Sequence, residues 1–117
     1  MAFKFEQLRV FQKSLDLSET VNNLVRKFTK EEMYVLVPQM KRASDSISLN
    51  IAEGSTGQSN REFKKFLGYS IRSDIEVIAC LYLAKRRNLI GDNDFNSTYN
   101  ETESLIIQLQ ALRNSLK

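Results

Sequence analysis

The densest features able to do chemistry in this 117-residue chain are cationic: Lys64, Lys65, Arg72 and the run Lys85-Arg86-Arg87. Clustered Lys and Arg hold phosphate oxygens through charge alone, so such residues point to RNA or DNA bound without reading its sequence. The plainer account is a solvated helix surface with cations placed favourably at a helix C-terminus. A second polar group lies between Val37 and Gly54, where Arg42, Ser46, Asn50 and Glu53 recur at steps of three and four. That spacing keeps them on one edge of a helix.

Other reactive types argue against catalysis. The chain has no histidine, which removes the usual general base, the usual metal ligand and the Glu-x-x-His sites of di-iron bundles. Cys80 sits among Ile78, Ala79 and Leu81 and reads as a packing thiol. Asp74 and Glu76 are two residues apart, so on a helix they point away from each other. Gly54-Ser55-Thr56-Gly57 lacks the Lys and the strand–loop–helix setting of a phosphate loop. The expectation is no enzyme, no catalytic residue, no metal and no cofactor.

Composition bounds the elements that must position these groups. With 42% hydrophobic residues, residues 1–117 support one core and a single domain. One Pro, four Gly and abundant Leu, Ile, Lys, Glu and Gln favour helices. A lone cysteine forms no internal disulfide, no secretory leader is recognisable, and no apolar run approaches the roughly 20 residues that span a bilayer. A soluble, cytoplasmic protein without a membrane partner is expected.

Periodicity divides the chain into four helices. The first runs from about Leu8 to Phe28 and bears two apolar stripes. Leu8, Phe11, Leu15 and Val25 form one; Val10, Leu17, Val21, Leu24 and Phe28 form the other. A bundle core uses one stripe, so the second set is assigned to contact with another copy of the chain. A wide core face with scattered surface aliphatics is the alternative. Pro38 suits the first turn of the second helix, and Gly54 is expected to supply a left-handed residue at its end. Along that helix Met40, Ala43, Ile47, Ile51 and Gly54 make one narrow apolar stripe that faces a core.

The third helix opens with Ser59-Asn60-Arg61-Glu62, a capping box, and continues to about Asn88. Asp74 falls on its apolar face and needs a partner or water. Gly91 precedes the fourth helix, for which Asp92 or Asn93 can cap, and Phe95, Thr98, Thr102, Leu105, Ile106, Leu109, Leu112 and Leu116 share one face. Short links imply an all-α, antiparallel up-down-up-down four-helix bundle. Counting outward from a turn near Gly57 brings Arg42 level with Ser73 and Glu76 and predicts an Arg42–Glu76 ion pair. The polar edge Arg42, Ser46, Asn50, Glu53, Ser73 and Glu76 then either knits the hairpin or an interface together, or shapes a binding site.

Charge is unevenly distributed within a total of +3. Residues 1–30 carry six Lys/Arg and three Asp/Glu, and residues 60–90 carry seven and three. Residues 31–59 and 91–117 each carry two and four, so basic and acidic segments alternate.

The run Arg42, Ser46, Ile47, Asn50, Ile51, Ala52, Glu53 and Gly54 resembles the signature of the 23S rRNA intervening-sequence proteins, a four-helix-bundle family related to the Avd accessory proteins of diversity-generating retroelements. Leu8, Val10, Gln12 and Lys13 resemble that family's opening motif, and Phe63, Phe66, Leu67, Ser73 and Glu76 a later one. Val35 stands where the family usually has Gly, and Arg72 and Asp74 where it usually has small or apolar residues. The resemblance implies a homopentamer. By analogy with the retroelement relatives, it implies nucleic acid and a reverse transcriptase as partners. Its ribosomal name reflects genes within rRNA intervening sequences and implies no ribosomal role. The expected function is non-enzymatic, oligomeric binding of RNA or DNA; the alternative is a protein-interaction scaffold whose charged helices meet subunits or partners.

Overall fold

The computed structural model describes residues 3–57 and 59–117. Its helices are α1 (Arg9–Val25), α2 (Leu36–Ser55), α3 (Asn60–Arg86) and α4 (Asp92–Ser115), with 3-10 turns at Lys4–Gln7 and Lys30–Glu32. Short links fold each helix back on the last, giving the antiparallel four-helix bundle that the periodicity predicts. Side-chain bonds record the alternating direction: Gln39 Nε2 donates to Glu76 Oε2 at 2.8 Å, Thr20 Oγ1 to Glu101 Oε1 at 2.9 Å, and Lys27 Nζ to Asp94 Oδ2 at 3.1 Å. α1 packs on α2 and α4, and α3 on the same two, so the helices stand at the corners of a square. The particle measures 44 × 22 × 21 Å.

The core runs the length of the bundle. Leu17, Val21, Met40, Ile47, Ile51, Leu67, Val77, Leu81 and Leu109 have no exposed surface. This corrects the reading of α1. Val10, Leu17, Val21 and Leu24 are the stripe that enters the chain's own core, so they are not free to meet a second copy. Phe28, assigned with them, lies just beyond α1, half-buried against the same core. The other stripe is the more open one, with Leu8 and Phe11 half-buried and Leu15 exposed, although its last member, Val25, is buried in the same core. Both stripes have core-forming spacing, and only the placement of α2 and α4 selects between them.

The helix ends also depart from expectation. Pro38 is in the first turn of α2, but the helix begins two residues earlier, at Leu36. Gly54 is not a left-handed terminator: no glycine among the described residues has positive φ, and Gly54 is buried inside α2. A Cβ there would overlap the Phe66 Cβ and crowd the Phe63 ring, so the missing side chain lets α2 and α3 approach closely. The left-handed residue is Asn88 (φ 59°), after α3. There Leu89 N donates to Ala84 O at 2.9 Å and Asn88 N to Lys85 O at 3.0 Å, closing a Schellman motif. Ser59 caps α3 as its sequence predicts, its Oγ accepting from Glu62 N at 3.1 Å. Gly91, rather than Asp92 or Asn93, occupies the N-cap of α4, leaving Asp92 and Asp94 in the first turn, where the helix dipole favours them.

Candidate nucleic-acid interface

The six cations singled out in the third helix do not act alike once folded. Lys85 lies 3.4 Å from Asp92 Oδ1 and 4.6 Å from the centre of the Phe95 ring, and Arg87 Nη1 donates to Glu32 Oε1 at 3.0 Å. The partners come from the start of α4 and the link before α2, so closing the bundle neutralises two members of the Lys85-Arg86-Arg87 run. Arg86 has no ion-pair partner among the described residues, and neither do Lys64, Lys65 or Arg72. Lys64 is half-buried; the other three are exposed.

Three of these free cations share one line with apolar residues. Arg72, Ile75, Ala79, Tyr82 and Arg86 follow at alternating steps of three and four along α3, with Lys65 one heptad before Arg72, and all six are exposed. Ile75 and Tyr82 are 52% and 56% exposed. Tyr82 packs edge-on against Phe95, with ring centres 5.1 Å apart, and against Tyr99 at 6.4 Å. A further cation arrives from α4, where the Arg113 guanidinium lies over Gly68, 3.7 Å from where a Cβ would stand. Sequence reasoning missed Arg113, because its proximity to α3 depends on how two helices cross.

The polar edge of α2 does not assemble into a site. Arg42 is exposed, and Glu76 takes its hydrogen bond from Gln39 instead, one turn earlier. The counted register is right, since Ser70 Oγ donates to Ile47 O at 2.9 Å across the same hairpin. The Arg42–Glu76 ion pair is absent from the ion pairs formed among the described residues. Asn50 Nδ2 donates to Ser46 O within its own helix at 2.8 Å; Glu53 is exposed and Ser73 half-buried.

Two titratable groups lie inside. Asp74 has no exposed surface, and neither carboxylate oxygen has a hydrogen-bond partner among the described residues. Burial pushes its carboxyl up to about 8, and the charge of Glu101 adds to the rise. Of the partner or water expected for it, no described residue supplies the partner. Burial, together with Glu76, raises the Cys80 thiol to about 11, so it stays protonated at neutral pH and fills space. No group of three or more His, Cys, Asp or Glu residues suited to a metal ion occurs among the described residues, and no helix is long and apolar enough to cross a membrane.

These features define a class: small antiparallel helical bundles with a closed core and a long, basic outer helix. Over residues 6–111 the chain matches the 23S rRNA-intervening sequence protein family, and it belongs to that family. The bundle is similar to the crystal structure of a protein of unknown function from the S23 ribosomal protein family of Bacteroides thetaiotaomicron VPI-5482. The two share 24% identity over 91% of this chain and 99% of that one, with a TM-score of 0.84, a likeness of fold. No curated protein matches the chain.

Proposed function

We propose that this protein is a non-enzymatic, self-associating helical bundle that binds RNA or DNA without reading base sequence, through the outer surface of α3. The observation that carries the reading is the set of cations left unpaired along that surface: Lys65, Arg72 and Arg86 are exposed, aligned and free of carboxylate partners among the described residues. Cations of this kind release counterions when they meet phosphates. The family's name, which refers to sequence within an rRNA gene, is consistent with a setting among nucleic acids.

Self-association belongs to the same proposal, with the pentamer that the resemblance implies. Its contacts fall on exposed apolar residues such as Leu15, Leu49, Val35 and Ile107, since Val10, Leu17, Val21 and Leu24 are used internally. An oligomer repeats each basic surface, and repeated weak contacts bind more strongly than one. Cytoplasmic residence follows from the same reading. A reverse transcriptase partner rests on analogy with the retroelement relatives alone.

The test is a binding titration with structured RNA and with DNA at low and at raised salt, beside a measurement of mass in solution. Retention at low salt that weakens steeply as salt rises supports the proposal. No retention of either polymer at low salt defeats it. Loss of oligomer mass with salt, without nucleic-acid binding, would favour the scaffold reading.

A further inference from the structure

We infer that the outer strip of α3 is a site for a single strand, with Tyr82 and Ile75 taking the faces of unpaired bases while Arg72 and Arg86 hold the phosphates on either side. This rests on the nucleic-acid reading above and narrows it to one form of ligand. The strip alternates in chemistry: cation, two apolar residues, Tyr82, cation. Phosphate contact alone would not explain why Ile75 and Tyr82 lie open to solvent in its middle. An unpaired strand offers both partners, since each nucleotide carries a charged phosphate and an apolar base face. A duplex turns its phosphates outward and stacks its bases inside, so these two side chains would have no base to touch.

Tyr82 is also built as a platform. Its ring stands at 70° to the buried Phe95 ring and at 88° to Tyr99, contacts that fix its orientation and leave the remainder of the ring exposed. An open groove of about 620 Å³ lies beside it, lined by Ala79, Tyr82, Leu83, Lys85, Arg86 and Asn88. That is room for a base together with its sugar. From Lys65 to Arg86 the strip extends about 30 Å at the helical rise, enough for several nucleotides, with Arg113 adding charge near Gly68.

A protein occupant fits less well. The six strip residues include no carboxylate, so two copies laid strip to strip would set like charges against each other. The outward line of α4 through Asn93, Asn96, Asn100, Glu103 and Ile107 carries one acid, and the exposed Asp92 at the start of that helix already lies against Lys85.

The experiment is fluorescence anisotropy with labelled oligothymidylate of about 16 nucleotides, the upper end of common single-strand footprints, and with its duplex on oligoadenylate. The full chain should bind the single strand more tightly. Tyr82→Ala should weaken single-strand binding about tenfold and leave duplex binding unchanged, while Tyr82→Phe, which keeps the ring, should bind as wild type. Circular dichroism of both variants establishes that the bundle is folded. Equal affinity for the two probes, or no effect of folded Tyr82→Ala, overturns the inference while leaving general nucleic-acid binding in place. A change in oligomer mass on Tyr82→Ala assigns the strip to contact between copies and also overturns it. If neither probe binds at low salt, the inference falls, and the broader function falls with it when structured RNA is not retained either.

Discussion

Asp74 on α3 and Glu101 on α4 form an asymmetric pair of carboxylates: Asp74 is buried with no hydrogen-bond partner among the described residues, while Glu101, half-buried, accepts a hydrogen bond from Thr20 and sends its field toward the hidden group. The buried serines and threonines do not relieve Asp74. Ser14, Ser44, Thr102 and Ser48 each donate to a carbonyl of their own helix, and Ser70 donates to Ile47. The charged residues of α1 and α2 near this level, among them Asp16, Lys41, Arg42 and Asp45, are exposed. Asp74 is therefore held in its neutral form at neutral pH.

This makes stability depend on pH in a defined direction. The folded value is about 8 against the 3.8 of a free aspartate, so the folded chain keeps a proton that the unfolded chain releases. The contribution of Asp74 is greatest below about pH 4 and is lost as pH rises toward about 8, at up to about 1.4 kcal/mol per pH unit. Urea unfolding of wild type and Asp74→Asn across this window should show a gap between them that shifts in favour of the variant as pH rises. Parallel curves would mean that Asp74 is not buried as described.

Gly54 and Gly68 should respond oppositely to the same change. Gly54→Ala drives a methyl into Phe66, and overpacking of this kind costs about 1–3 kcal/mol. At Gly68 the nearest atoms lie at 3.7 Å, an ordinary contact, so Gly68→Ala should gain about 0.5–1 kcal/mol from helix propensity. Denaturant midpoints of the two variants test this pair of signs.

Leu17→Ala should destabilise each bundle by about 2–5 kcal/mol, because it opens a cavity at a site with no exposed surface. The mass measured under native conditions should stay that of wild type. A variant that dissociates while its bundle unfolds at the wild-type midpoint would return Leu17 to the subunit interface.

Within Lys85-Arg86-Arg87, the effects on nucleic-acid binding should be unequal. Arg86→Ala should weaken affinity and reduce the salt slope by about 1, as expected for the loss of one phosphate contact. Lys85→Ala and Arg87→Ala should do less, since Asp92 and Glu32 already hold those charges. Equal losses across the three would show that these ion pairs yield to phosphate.

Much of the architecture is written locally. Steps of three and four, Pro38 near one helix start, the Ser59 cap and the short links specify four helices and their antiparallel order, because each depends on residues within a turn or two of one another. The same local character made the cations of α3 readable as a group. What spacing could not decide was direction. An apolar stripe demands burial without naming what covers it, so Val10, Leu17, Val21 and Leu24 were indistinguishable from an intersubunit seam until α2 and α4 were in place. The close approach of Phe66 to Gly54, the lack of a partner for Asp74 among the described residues, the pairing of Lys85 and Arg87, and the exposure of Ile75 and Tyr82 were decided by tertiary structure alone, since each is fixed by atoms brought from distant parts of the chain.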